Sequence, residues 1–309
     1  MTESVQYRTI SEAEAGQRLD NFLMRILKGV PRSHLYRIIR KGEIRINKKR
    51  VKPLDKLQVG DILRIPPIRT SAPTTVHVSE GLAQHLEDCI IYEDNALIVI
   101  NKPAGIAVHG GSGLSLGIIE ALRKMKPTLT ELELVHRLDK DTSGCLLLAK
   151  KRSMLRALHQ LLEKKLMQKT YYAILANPWV GPKKRVVNVP LEKITGRGGE
   201  RIVSVQSSGK ASETHFTLLE NFSNACLVKA EPKTGRTHQI RVHAQYLQHP
   251  ILGDNKYNPE PLPSHLMPRL YLHAQQIQFT LDDKPYAFQA ELDNPFNSTL
   301  EKLRMAPGR

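Results

Sequence analysis

A chain of 309 residues is longer than one average domain, and 40% apolar with 25% charged residues is the composition of a folded protein, which excludes disorder for most of its length. Its 46 Lys and Arg against 30 Asp and Glu leave a net +16, so a polyanion is the expected partner. Cys89, Cys145 and Cys226 have no short spacing, which argues against a disulfide framework or zinc ribbon, and no apolar run approaches membrane-spanning length.

The opening MTESVQYRTI has no apolar core of a signal peptide, so a reducing cytoplasm is expected, without membrane contact. Residues 1–15 read as a short strand and tail. From Gly16 onward, Leu19, Phe22, Leu23, Ile26 and Leu27 recur at helical spacing until Gly29 and Pro31 end the run. A second helix over RSHLYRIIRKG takes Ser33 as its N-cap. It buries Leu35, Ile38 and Ile39, and Gly42 stops it. EIRINKKRVKP and LQVGDILRIPP then read as short strands turning at Asn47 and at Gly60-Asp61. Between Gly16 and Arg69 there are 15 Lys or Arg against four acids, a net +11 in 54 residues. A solvated face is the plain reading of Arg32, Arg37, Arg40 and Lys41; a phosphate-binding face is the functional one.

Residues 67–82, PIRTSAPTTVHVSEGL, lack periodicity and read as a linker between a basic unit at 16–66 and a larger domain at 83–309. In the larger domain, strands are expected over CIIYEDNALIVINKP, CLLLAKK, TYYAILA, RIVSVQ, ETHFTLLENF, CLVKAEP and LYLHAQQIQFTL. Helices are expected at LSLGIIEALRKMKP, through Leu114, Ile118, Ala121, Leu122 and Met125, and at SMLRALHQLLEKKLM, through Leu155, Leu158, Leu161, Leu162 and Leu166. Strand runs with helices set apart imply an α+β domain on a mixed or antiparallel sheet, preceded by a small N-terminal α/β unit.

Four stretches could carry chemistry. In VHRLDKDTSG, Asp139 or Asp141 either caps a turn through Thr142 and Ser143 or serves as an ionised catalytic carboxylate, with Arg137 two residues away on the same side of an extended segment. TGRTHQIRVH gathers Arg236, His238, Arg241 and His243. Metal ligation by the two histidines is the weaker reading, because no cysteine or carboxylate pair completes a site, and an ion pair of Arg241 with an aspartate is the stronger. QKTYYAIL puts Tyr171 and Tyr172 on opposite strand faces, one for the core and one for a cleft where a base could stack. VHGGSG before a helix is a turn; without the Lys-Ser/Thr of a phosphate-binding loop, nucleotide binding is not expected.

In order, YEDNALIVINKPAGIAVH, HRLDKDTSG, KTYYA, TGRTHQIRVH, HPILGDNKY and LHA resemble the RluA-type pseudouridine synthases, and RLDNFL with RSHLYRIIRKGEIRINKKRVKP resembles an S4 RNA-binding domain. The resemblance implies a pseudouridine synthase domain behind an S4-like unit that isomerises uridines in 23S ribosomal RNA of the large subunit or its precursor, as a monomer, with neither cofactor nor metal. It further implies Asp139 as the catalytic aspartate, Arg241 as its partner and Tyr171 packed on the flipped base. Arg137 would take the vacated place in the stack, and His136, Arg236 and His238 would contact substrate. Arg32, Arg37, Arg40, Lys41, Lys48, Lys49 and Arg50 would hold RNA. One carboxylate suffices, because uracil leaves as a delocalised anion and no water has to be activated, unlike glycoside hydrolysis. Two other classes remain to be separated: a non-catalytic ribosome-assembly factor, and a metal-dependent nuclease using Asp139 and Asp141.

Overall fold

A computed structural model describes residues 4–27, 29–68, 78–110, 116–195, 201–258 and 260–305. The chain divides into two compact units, residues 1–77 and 78–309.

The first unit comprises β1 (Gln6–Thr9), α1 (Leu19–Ile26), α2 (Arg32–Lys41), β2 (Arg45–Ile46), β3 (Lys49–Arg50) and β4 (Ile62–Ile65), with sheet order β1-β4-β2-β3. The expected N-terminal tail thus supplies an edge strand. Leu19, Phe22 and Leu23 of α1 pack with Leu35, Ile38 and Ile39 of α2 and with Leu57, Leu63 and Ile65, as the helical spacing requires. Ser33 is not the cap. The helix opens after Pro31, at φ −58° and ψ 140°, and no side chain caps it. Asn47 and Lys48, at φ 49° and 66°, turn the β2–β3 hairpin with the left-handed pair that matches strand twist.

In the second unit, α3 (Glu80–Asp88) starts inside the expected linker, because Ser79 accepts the Leu82 N–H at 3.3 Å and caps it. Residues 69–77 of that linker lie outside the described residues, as do Leu114 and the end of VHGGSG. There follow β5 (Ile90–Glu93), β6 (Leu97–Lys102), α4 (Ile118–Met125), β7 (Glu133–Leu134), β8 (Ser143–Ala149), α5 (Arg152–Glu163), β9 (Gln168–Ala176), β10 (Lys184–Asn188), β11 (Leu191–Thr195), β12 (Arg201–Val205), β13 (Glu213–Asn221), β14 (Ala225–Pro232), α6 (Gln239–Tyr246), β15 (Leu272–Leu281), β16 (Lys284–Gln289) and α7 (Asn294–Met305). Ten strands form one sheet along β10-β13-β14-β9-β15-β8-β6-β5, with β16 beside β15 and β7 beside β8, while β11 and β12 pair separately. Every pairing is antiparallel except β15 with β8, so the domain is α+β on a mixed sheet.

The central strand β8 is buried at all seven positions. Its Leu146 and Leu148 face α4 through Ile118, Ala121 and Leu122, while Cys145 and Leu147 face Leu158 of α5. Of the five leucines expected on this helix, only Leu158 is fully buried. Leu166 is 57% exposed because the helix ends before it and Lys165 turns the chain at φ 57°. Gly144, at φ 107°, is needed where β15 crosses beside β8: a Cβ there would run into the Ala274 backbone.

Candidate active site

The loop that enters β8 carries the first cluster. Leu138 is buried in the α4-side core, so its neighbours Arg137 and Asp139 turn outward; Arg137 is exposed and Asp139 half-buried. The Thr142 N–H donates to the Asp139 carbonyl at 3.2 Å, closing the turn. Lys102, at the end of β6, is wholly buried beneath it. Its Nζ donates to the carbonyls of Pro103 and Ile106 at 2.7 Å each and of Lys140 at 2.9 Å, which stitches two loops together. Burial pulls the Lys102 pKa down to about 7, against the pull of Asp141 and Asp139. A neutral amine has only two N–H groups, so three donated bonds require the ammonium form.

The second cluster comes from α6 and the turn after it. Arg241 places Nε and Nη2 on the two oxygens of Asp254 at 2.7 Å each, and its remaining Nη1 donates to Asp139 Oδ2 at 3.2 Å. Asp254 has no exposed side-chain surface, and its Oδ1 also accepts the N–H groups of Lys256 and Tyr257 at 3.0 and 3.1 Å. The two-pronged bond fixes the guanidinium, so that one edge is left to meet Asp139. Burial works against that charge, but the bonds and charge of Asp254, then of Asp139, outweigh it and raise the Arg241 pKa. Gly253 precedes Asp254 at φ 70°, where a Cβ would overlap the Arg269 carbonyl.

A third side reinforces the carboxylate. His238 Nε2 lies 3.7 Å from Asp139 Oδ2, and its Nδ1 is 2.7 Å from the Tyr257 hydroxyl. That hydroxyl accepts the Val203 N–H at 3.0 Å, so its own proton goes to His238 Nδ1 and the ring presents Nε2–H to Asp139. Burial lowers the His238 pKa, with Asp139 opposing and Arg241 adding to the shift, which keeps the ring neutral. The Arg241 guanidinium sits over the Tyr257 ring at 5.1 Å, closing a circuit through Asp139, Arg241, Asp254, Tyr257 and His238. His238 is left-handed at φ 52°, a conformation that costs a non-glycine residue about 1–3 kcal/mol and is held by these contacts. Gln239 and His243 anchor α6 below: Gln239 Nε2 donates to the Glu213 carbonyl and to Thr214 Oγ1, and His243 bonds Ser212 and Thr214.

Tyr171 packs partly buried between two core clusters, and burial together with the Asp139 charge raises its pKa. The structure therefore brings Asp139, Arg241, His238 and the surroundings of Tyr171 together. It does not bring His136 or Arg236 to them. His136 Nε2 accepts the Leu147 N–H at 3.2 Å and completes the β8 edge, its pKa pulled down to about 3 by burial and by Lys169. Arg236 spends Nε on the Ala211 carbonyl at 3.1 Å. His243 uses both ring nitrogens on hydroxyls, which leaves none for a metal; among the described residues no group of three His, Cys, Asp or Glu is placed to hold one. Asp254, Tyr257 and Lys102 are the additions that reading the sequence missed. All three lie in stretches already singled out, HPILGDNKY and NKPAG.

In the first unit, Arg32, Arg37, Arg40, Lys41, Lys48, Lys49 and Arg50 are all exposed. Arg32 is partly committed: its Nη2 donates to Tyr36 Oη at 2.9 Å and stands 3.7 Å from buried Asp20. Among the described residues no helix is long and apolar enough to cross a membrane.

Residues 96–246 match the family model for RNA pseudouridylate synthase, and residues 17–63 match that for the S4 domain. The chain is 51% identical over 312 residues to ribosomal large subunit pseudouridine synthase C of Haemophilus influenzae, covering 98% of this chain and 97% of that protein. This chain belongs to the RNA pseudouridylate synthase family. The Escherichia coli K12 protein of the same name is 50% identical over 315 residues, 99% of this chain and 98% of its own. Among solved structures, human RNA pseudouridylate synthase domain containing 4 superposes with a TM-score of 0.60 at 28% identity, over 74% of this chain and 98% of that one. As a pseudouridylate synthase, the chain is an RNA-modifying isomerase with an S4 domain at its N-terminal end.

Proposed function

We propose that this enzyme isomerises uridines of 23S ribosomal RNA in the large subunit or its precursor, with Asp139 as the group that acts on the flipped nucleotide. The relatives named for the large ribosomal subunit support that substrate. The observation that carries the role of Asp139 is its single charged contact: Arg241 meets it at 3.2 Å while Asp254 locks the guanidinium from the other side, and the carboxylate keeps 22% of its surface open. A carboxylate so held is positioned to serve as nucleophile or base. The glycosidic bond from N1 to C1′ breaks with its electron pair on uracil, the ring turns within the site, and C5 bonds to C1′; the proton that C5 then loses is balanced by one taken up at N1. Nothing is added or removed overall. Tyr171 packs on the detached ring, and Arg137, exposed beside Asp139, fills the gap in the RNA stack, which offsets the few kcal/mol of base extrusion. His238 orients the carboxylate. Arg37, Arg40, Lys41, Lys48, Lys49 and Arg50, with a smaller share from Arg32, contact phosphates. The protein works as a monomer in the cytoplasm, without cofactor.

Asp139→Asn keeps the shape and removes the charge. It is expected to bind unmodified 23S transcript like the parent while forming no pseudouridine in carbodiimide primer-extension mapping. Product formed by the variant would remove Asp139 from the chemistry; a parent that binds RNA but never modifies it would leave an assembly factor.

A further inference from the structure

Outside the Asp139 cluster, the chain has a groove of about 400 Å³ between β12 and α6, lined by Val205, Val242, Gln245, Tyr246, Gln248 and Tyr257 among others. Its volume suits one small planar group and not a helix of nucleic acid. Three observations bear on what fits there. The floor is Tyr257, whose hydroxyl bonds His238 at 2.7 Å, and His238 stands 3.7 Å from Asp139, so the groove opens two side chains from the carboxylate. Ile202, Val203, Val205 and Val242 give the groove aliphatic surface, while Ser204, Lys256 and exposed Gln245 and Gln248 give it polar surface, which suits a ligand with apolar faces and a hydrogen-bonding edge. Tyr246 is 52% exposed at the end of α6, with no hydrogen-bond or ring partner among the described residues, although residues 239–244 of the same helix are all buried. An aromatic ring left open at the lip of such a groove, in an enzyme whose substrate is RNA, has one chemical complement: the π-face of an unpaired base.

We propose that this groove is a subsite for an unpaired RNA base neighbouring the target uridine, stacked on Tyr246 and read at its edge by Gln245 and Gln248. The subsite rests on the proposed function above. It adds to it a contact that selects RNA by a base outside the reacting nucleotide, and it gives the β11–β12 ribbon a role as the groove's outer wall.

The test is steady-state pseudouridine formation on unmodified 23S transcript by the parent, Tyr246→Ala and Tyr246→Phe, over a salt series. Losing one stacked base is expected to raise KM about tenfold in Tyr246→Ala, with the effect on KM rather than kcat. Tyr246→Phe, which keeps the ring, is expected to restore it. Because no phosphate contact is lost, log KM is expected to keep the parent's dependence on log salt. A Tyr246→Ala enzyme with KM within twofold of the parent, a loss confined to kcat, or a changed salt slope overturns the subsite while the parent's turnover leaves the substrate assignment standing. A parent that makes no product on the transcript overturns the assignment itself, and the subsite with it.

Discussion

Asp254 is wholly buried, yet the geometry makes the carboxylate of Asp139 depend on it. Its two oxygens hold Arg241 at 2.7 Å each, and both groups are buried. Asp254→Asn is nearly isosteric but removes the charge, leaving a buried guanidinium with one half-exposed partner. The expected cost is about 3 kcal/mol in urea unfolding. With Arg241 free to swing, single-turnover pseudouridine formation is expected to fall roughly 100-fold. A variant with the parent's rate would show that Asp139 needs no fixed partner. The contrast between Asp139 and Asp254 marks how far the sequence could be read. Asp139 stands in a dense polar run before an apolar strand, and Arg241 in another, so both are conspicuous. Asp254 is one acid in GDNKY, and nothing local tells that its carboxylate is buried under a helix 13 residues back in the chain. His136 shows the reverse: it sits inside the conspicuous run, but its Nε2 accepts the Leu147 N–H as a strand carbonyl would.

Most strands and helices with strong one-sided patterns were legible, and the misses have two causes. β8 is an unbroken buried run, and α1, α2 and α4 have their apolar residues at helical spacing. In contrast, β10 buries only Val187 and β16 only Phe288, too little for a periodic signal. Although α7 does bury Phe296, Leu300 and Leu303 at helical spacing, its Asn-Pro opening reads more readily as a tail than as a helix start with proline in the first turn. What joins these elements is partly a pair of neutral histidines. His243 ties α6 to β13 through Thr214, and His273 ties β15 to the start of β8 through Ser143, both with no exposed surface. Burial lowers each pKa from 6.5 to about 4. Between pH 6.5 and about 4 the unfolded chain therefore binds these two protons and the native chain does not, so stability is fully present above the unfolded pKa and is lost as the pH falls through that window. Each histidine contributes up to about 1.4 kcal/mol per pH unit there. Urea midpoints taken at several pH values are expected to drop accordingly, and His273→Gln to remove roughly one proton's worth of the slope. An equal slope in parent and variant would mean that the ring is already charged in the native protein.

The charge surplus is concentrated at one end of the chain, and the proposed reacting cluster lies in another part of it. Residues 16–69 carry a net +11 of the total +16, and the exposed basic side chains of α2 and the β2–β3 hairpin belong to that stretch. The Asp139 cluster is different in kind: its cation Arg241 is buried and committed to two carboxylates, so it is poorly placed to neutralise a phosphate. Binding should then behave as counterion release from the first unit, with little sequence preference. Replacing Arg37, Arg40 and Lys41 together by Gln removes three cations from the outer face of α2 without touching Leu35, Ile38 or Ile39 beneath. Affinity for unmodified 23S transcript is expected to weaken, and the slope of log K against log salt to shrink by roughly two, at about 0.7 per lost contact with single-stranded RNA. The loss should be nearly the same for an unrelated RNA of equal length. A variant whose slope stays at the parent's value would move the phosphate contacts off α2, and would leave the surplus charge of this unit as a solvated surface.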